Sequence, residues 1–275
     1  MERQPAVAGT FYEGSAARLT AQVAACFEKA SVLSDTKLPM IGAIVPHAGF
    51  IYSGHVAAEL YASVALPSRF VILCPNHTGR GRGVAINSEG SWITPLGKVR
   101  VDEPLAAELR TASPLFEEDS AAHAREHSLE VQLPLLQHLL GDRFTFVPVC
   151  MMTPSYAVCA EAARAIAHTI TEHRKRGETI GIIASSDMNH YLDQSTTLMK
   201  DQRAIDEILR LDPKALWNVV HHEEISMCGY IPATTMLIAA RELGATRATL
   251  IRHATSGDVS GDYGYVVGYA SIVIH

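Results

Sequence analysis

Three short runs in the sequence place histidine among small or turn-forming residues directly after an apolar stretch: Pro46-His47-Ala48-Gly49, Pro75-Asn76-His77-Thr78-Gly79 and Ser185-Ser186-Asp187-Met188-Asn189-His190. A lone histidine in such a place is ordinarily a partly buried polar residue. Three at equivalent places predict imidazoles that meet in one crevice, provided the preceding strands are neighbours, and convergent imidazoles with a carboxylate make a metal or acid/base site. A fourth run, Ser226-Met227-Cys228-Gly229-Tyr230-Ile231-Pro232, sets Cys228 just before a helix whose early proline suits its first turn. The helix dipole at that place favours a thiolate, which serves as a soft metal ligand or as a nucleophile.

His47, His77 and Cys228 together would give an open three-ligand site of two imidazoles and one sulfur. That donor set suits iron, copper or zinc, whereas magnesium and calcium require oxygen. His190 is then the spare base, and Asp187, three residues earlier, can fix its tautomer or else cap the following turn. Of the other thiols, Cys26, Cys74 and Cys159 read as inert packing residues, with Cys150 undecided. His127 and Glu130, spaced i, i+3 in Arg125-Glu126-His127-Ser128-Leu129-Glu130, share one face of an expected helix and either line the crevice or begin a polar helix start. Arg80 and Arg82 alternate with glycines in a basic loop that could admit an anionic ligand. Asp258 and Asp262 read as turn residues.

The elements that must position these groups follow a βαβ rhythm. Apolar, β-branched runs at Ile41 to Val45, Phe70 to Leu73, Phe144 to Val149 and Ile180 to Ala184 read as strands, with helices between and after them at Ala16 to Lys29, Gly54 to Val64, Pro104 to Ala112, Glu126 to Leu140, Tyr156 to Arg176, Leu198 to Arg210, Pro213 to His221 and Pro232 to Leu243. Pro134 should break or kink the fourth of these helices. Residues 83–101 read as a hairpin or irregular excursion, and Ala248 to Arg252 with Tyr265 to Ile274 as antiparallel strands at a sheet edge. Strands that are apolar throughout are covered on both faces, so the fold class is α/β: a three-layer α/β/α sandwich around a mostly parallel sheet with antiparallel C-terminal strands, in one domain over residues 1–275. In such a sheet, ligands bind beyond the carboxyl ends of the strands.

Composition narrows the function classes. The 275 residues carry 23 Lys+Arg against 29 Asp+Glu, a formal net charge of −6, so no basic excess exists to neutralise a phosphate backbone and nucleic acid is not an expected partner. The hydrophobic fraction of 48% is that of a globular chain. No stretch reaches the length of a membrane span and no signal-like segment opens the chain, which predicts a cytoplasmic protein without a membrane partner. The five cysteines are widely spaced with no C-x-x-C pair, so a disulfide framework is not expected. The glycines after the strands do not form a dinucleotide fingerprint.

The ordered motifs PAVAGTFYEG, PHAGFIYSG, PNHTG, EHSLEVQLPLLQ, SSDMNHY and MCGYIPATTML cover essentially the whole chain, and their order and separations resemble the Memo family, whose bacterial members include AmmeMemoRadiSam system protein B. The family is similar in fold to the LigB-type (class III) extradiol dioxygenases, non-haem iron enzymes that open catecholic rings. The resemblance implies that His47, His77 and Cys228 stand at the metal-ligand positions, with His190 at the acid/base position and Asp187 beside it. It also implies iron or copper with redox activity, and pathway partners of the radical-SAM and AMMECR type. One departure matters: the dioxygenases use a glutamate where this chain has Cys228, which changes charge donation to the metal, and ring cleavage does not follow from fold alone. Three readings follow: a metal-dependent oxidoreductase acting on a small molecule; a non-catalytic module that recognises a phosphopeptide or other anionic ligand in the same crevice; and a thiol enzyme with Cys228 as nucleophile and His190 or His47 as base.

Overall fold

The computed structural model describes residues 2–30 and 36–275. At its centre the four apolar runs form the strands Gly42–Val45, Arg69–Pro75, Thr145–Met151 and Gly181–Ser185. All four are parallel, in the spatial order Thr145–Met151, Arg69–Pro75, Gly181–Ser185, Gly42–Val45. Gly181–Ser185 thus lies between the strand that ends before His47 and the strand that ends before His77. The strand ends that carry the histidine runs are neighbours, as the crevice requires.

Side-chain alternation along these strands produces the layers. Ile44, Val71, Val147 and Ile182 pack into one apolar core, while Ala43, Phe70, Phe146 and Ile183 pack into a second. Because successive strand residues point to opposite faces, a run that is apolar throughout needs cover on both sides. Helices Tyr156–Lys175 and Tyr230–Glu242 close the first face; Ala16–Glu28, His55–Ser63 and Gln132–Leu140 close the second. The result is the expected α/β/α sandwich. The C-terminal strands Ala248–Thr255 and Val266–Ile274 pair antiparallel, and Val266–Ile274 also pairs antiparallel with Gly42–Val45. On the other side of the sheet, Ser91–Thr94 and Gly97–Val101 form the hairpin expected within residues 83–101.

Two helix starts lie four or more residues from where the sequence reading puts them. The expected helix from Glu126 begins only at Gln132, because Glu126 and Ser128 turn back on each other: the Glu126 carboxylate accepts from Ser128 N–H (3.0 Å) and hydroxyl (2.7 Å). Pro134 then falls in the first turn, where a missing N–H costs nothing, and the helix runs through it unbroken to Leu140. His127 and Glu130 therefore do not share a helical face. The helix read as starting at Leu198 starts at Gln194, since Asp193 caps it by accepting from Thr196 N–H at 3.0 Å.

At the end of the sheet away from the histidines, Asp102 joins three elements. It caps helix Glu103–Ala112 through Leu105 N–H, receives two bonds from the Arg69 guanidinium (2.7 and 2.9 Å), and accepts from the Thr145 hydroxyl (2.8 Å). Burial pushes its carboxyl up, but the bonds from Arg69 and Thr145 outweigh this and hold it below the ordinary carboxylate range. A depressed folded pKa contributes stability above the unfolded value and loses it as pH falls through the folded value. Asp102→Asn keeps a capping side chain but not the charge. Denaturant titrations should find it less stable than wild type at neutral pH, by about 1–3 kcal/mol, with the gap closing in acid; a gap independent of pH would contradict this.

Candidate metal centre

His47, His77 and Cys228 meet beyond the carboxyl ends of the central strands, with one ligand atom from each lying within 4.8 Å of the others. Cys228 Sγ is 3.2 Å from His47 Nε2. The three residues are 30 and 151 positions apart in the chain, and separate elements deliver them.

Hydrogen bonds determine which nitrogen each ring presents. His47 Nδ1 lies 2.9 Å from the Ser185 hydroxyl, whose own proton is donated to Ser128 O at 2.6 Å. Gln132 Nε2 donates to the same hydroxyl (3.0 Å) and to Pro46 O (2.9 Å), oriented by the Tyr61 phenol, which donates to Gln132 Oε1 (2.8 Å). With its proton committed, Ser185 can only accept from the imidazole. His47 therefore carries hydrogen on Nδ1 and a lone pair on Nε2, facing the thiol. His47 is 2% exposed, and burial first, then neighbouring His127 and His77, holds it well below its ordinary pKa, in the neutral form a metal needs.

Glu126 acts on His77 in the same way. The carboxylate is fully buried and accepts from His77 N–H (2.6 Å) and from His77 Nδ1 (2.8 Å). Burial pushes Glu126 up, yet the bonds from His77 and Ser128 prevail and bring it down to about 2. An ionised carboxylate only accepts, so His77 also has its proton on Nδ1 and a bare Nε2. A carboxylate behind a ligating imidazole is a common way of orienting the ring and raising its basicity.

Cys228 sits where two chain segments are fastened together. Asp187 N–H donates to its sulfur (3.3 Å), and Gly229 N–H donates to the Ser186 hydroxyl (3.0 Å). A Cβ on Gly229 would lie 2.3 Å from Ser185 O, so only glycine lets the thiol segment approach this closely. The expected depression of the thiol by the helix dipole does not occur. Burial first, and the Asp187 charge second, push the thiol up, outweighing the Asp187 N–H bond. The sulfur is thus a poor free nucleophile and needs a cation to become a thiolate.

Asp187 and His190 stand beside this group. Asp187 Oδ1 accepts from His47 N–H (2.7 Å) and Ala48 N–H (3.3 Å), and Oδ2 is 4.0 Å from His47 Nε2. Burial raises Asp187 to about 6 against these bonds. Asp187 is therefore bonded to the His47 segment, and the tautomer of His190 is fixed elsewhere: His190 Nδ1 donates to Ser226 O (2.9 Å), which as a carbonyl can only accept. His190 N–H donates to the Ser226 hydroxyl (2.7 Å), and that hydroxyl and Ser226 N–H both reach Asn189 Oδ1.

His127 completes the imidazole group. Its ring centroid is 4.6 Å from that of His77 and 5.5 Å from that of His47, and His77, Glu126 and His127 also have ligand atoms within 4.8 Å of one another. Glu130 does not join it and instead bonds the N-terminal segment. Cys26, Cys74, Cys150 and Cys159 are buried. Arg82 pairs with Glu117 at 3.4 Å on the surface. Asp258 lies in the short helix Gly257–Ser260, not in a turn, and accepts from Thr255 N–H (2.7 Å); Asp262, beyond that helix, accepts from Gly264 N–H (2.9 Å). Sequence reasoning did not identify Ser185, Gln132, Glu126 and Ser226 as the residues that orient the rings. The motifs containing all four were visible, but their partners are 36 to 138 residues away.

These tautomers are directly measurable. Long-range ¹⁵N–¹H spectra of metal-free protein at mildly alkaline pH should show His47, His77 and His190 protonated on Nδ1, not in the Nε2–H form favoured by free histidine. An Nε2–H signal for His47 or His77 would contradict the network.

Comparison with known proteins shows the family and the fold. Residues 3–273 match the family model described as Memo-like protein. A MEMO1 family protein of Thermotoga petrophila is 44% identical over 285 residues, with both chains fully covered. One from Methanothermobacter thermautotrophicus is 42% identical over 282 residues, covering 99% of this chain and all of the relative. The crystal structure of an uncharacterized protein from Escherichia coli K12 shares the fold at a TM-score of 0.56 and 14% identity, covering 85% of this chain and 99% of that one. With residues 3–273 matched by one family model and relatives 42% and 44% identical covering 99% and 100% of it, the chain belongs to the Memo family.

Proposed function

We propose that this Memo-family protein is a metal-dependent oxidoreductase in which His47, His77 and Cys228 hold iron or copper and His190 with Asp187 manages protons. The observation that carries the reading is the bare Nε2 of His47 3.2 Å from the Cys228 sulfur, with a ligand atom of His77 within 4.8 Å of each, and each ring locked by a bond at Nδ1. Two imidazoles and a thiolate form a donor set for iron, copper or zinc, and a three-ligand set leaves positions open.

Bound iron or copper would supply one-electron chemistry and an electrophilic position for a ligand or dioxygen. The chain's own contributions are more specific. Glu126 increases electron donation from His77, and Ser185 with Gln132 keeps His47 from rotating. His190 holds its proton on Nδ1 against Ser226 O, so Nε2 remains as the acceptor for a proton from bound substrate. Asp187, raised by burial to about 6, holds the His47 and Ala48 N–H groups beside the site. Burial and the Asp187 charge push the Cys228 thiol up, which disfavours its use as a free nucleophile.

Element analysis of protein purified without oxygen tests the assignment. Wild type should retain close to one iron or copper per chain, and His47→Ala and Cys228→Ser should each lose it. Negligible metal in all three would contradict the proposal. Glu126→Gln keeps the shape but not the charge behind His77. Competition with a chelator should show its metal affinity falling by about 10- to 100-fold, and an unchanged affinity would mean that Glu126 does not tune the site.

A further inference from the structure

One imidazole outside the metal centre is buried without a bond. His123 ends the short helix Ser120–His123, which Asp119 caps by accepting from Ala121 N–H at 2.8 Å. The residue is 1% exposed, its ring centroid lies 5.7 Å from that of Trp92, and neither Nδ1 nor Nε2 has a hydrogen-bond partner among the described residues. Buried polar side chains are almost always paired, so an interior that leaves both nitrogens of a ring unpaired calls for a group to complete it.

His123 lines a cavity of 240 Å³ together with Glu2, Arg3, Asn87, Ser120 and Ala124. None of the residues on its wall belongs to the His47, His77 and Cys228 group. The volume falls just below the roughly 300–1,000 Å³ of sites that take drug-sized ligands, so it suits a molecule of one ring. Its charged wall residues are already paired. Arg3 Nη1 pairs with the fully buried Glu130 carboxylate, while Nε donates to His123 O (2.9 Å) and Nη2 to Glu126 O (2.6 Å). Glu2 pairs with Lys98. The Asn87 amide is also engaged, accepting from Trp92 Nε1 (3.2 Å) and donating to Glu89 O (3.3 Å).

That leaves the His123 ring and the Ser120 hydroxyl to read a ligand. Burial first, and the Arg3 charge second, bring His123 down to about 4, so at neutral pH the ring carries one N–H and one lone pair. The Ala85 carbonyl favours the protonated ring without closing a hydrogen bond to it; as an acceptor it draws the N–H to its own side and leaves the lone pair on the other. A ligand must then donate to His123 and can accept from Ser120. We propose that this cavity is a binding site for a small uncharged amide, whose N–H donates to the His123 imidazole and whose carbonyl accepts from Ser120. A cation would meet the Arg3 guanidinium, and an anion would find that guanidinium already neutralised by Glu130. The site does not depend on a metal at the strand ends.

Four probes of similar shape separate the alternatives: benzamide, its donor-free analogue N,N-dimethylbenzamide, the anion benzoate and the cation benzamidinium. Long-range ¹⁵N–¹H spectra should show benzamide shifting the His123 ring nitrogens saturably at millimolar concentration. Each of the other three should bind at least about tenfold more weakly, which is about 1.4 kcal/mol. His123→Phe keeps a flat ring against Trp92 but removes both nitrogens, and saturation-transfer spectra should show its benzamide affinity reduced about tenfold. Ala124→Phe, at an exposed position on the wall, leaves His123 intact and should abolish benzamide binding. No shift of the His123 nitrogens with benzamide, equal binding of any of the three analogues, or undiminished affinity in either variant would overturn the proposal. Crystals soaked in benzamide that show only water beside His123 would overturn it as well.

Discussion

The arrangement of the centre depends on one committed proton. The Ser185 hydroxyl gives its hydrogen to Ser128 O, so it has only a lone pair to offer His47, and the imidazole must turn its own lone pair toward Cys228. Were Ser185 free to donate, either tautomer of His47 would be satisfied and the ring would lose its fixed role. The commitment is enforced from three sides, by the turn carrying Ser128, by the first turn of helix Gln132–Leu140, and by the end of strand Gly181–Ser185. Each is buried, where leaving a polar group unpaired costs about 1–3 kcal/mol, so the alternatives are disfavoured by the interior itself.

The sheet makes this economy available. Parallel strands end at one side of the molecule, and the order that puts Gly181–Ser185 between its two neighbours brings the residues after all three within reach of one another. The same loop chemistry then recurs. A residue beyond a strand presents an imidazole, and a group distant in sequence fixes its orientation: the Ser185 hydroxyl for His47, the Glu126 carboxylate for His77, the Ser226 carbonyl for His190. The EHSLEVQ run is unusually busy. Glu126 orients a ring, His127 stacks on it, Glu130 fastens the N-terminal segment, and Gln132 supports Ser185.

The strands and most helices were legible in the sequence because apolar runs and their periodicity act locally. The gathering of His47, His77 and Cys228 was legible because a βαβ rhythm predicts where strand ends lie. The helix expected from Glu126 was misjudged for a long-range reason: its first residues are held by tertiary bonds in a turn, and helical periodicity carries no trace of that. The depressed thiol expected for Cys228 failed similarly, since position before a helix says nothing about the burial and the Asp187 charge that dominate. The ring-orienting residues were out of reach because a serine or glutamine announces no partner until the fold brings one.

The central claim is that a sulfur and two imidazoles share one ion. X-ray absorption at the metal edge, on protein reconstituted anaerobically with iron or copper, addresses it directly. The account predicts one sulfur scatterer and two imidazoles in wild type, with the sulfur lost in Cys228→Ser. A first shell of nitrogen and oxygen alone in the wild-type protein would contradict it.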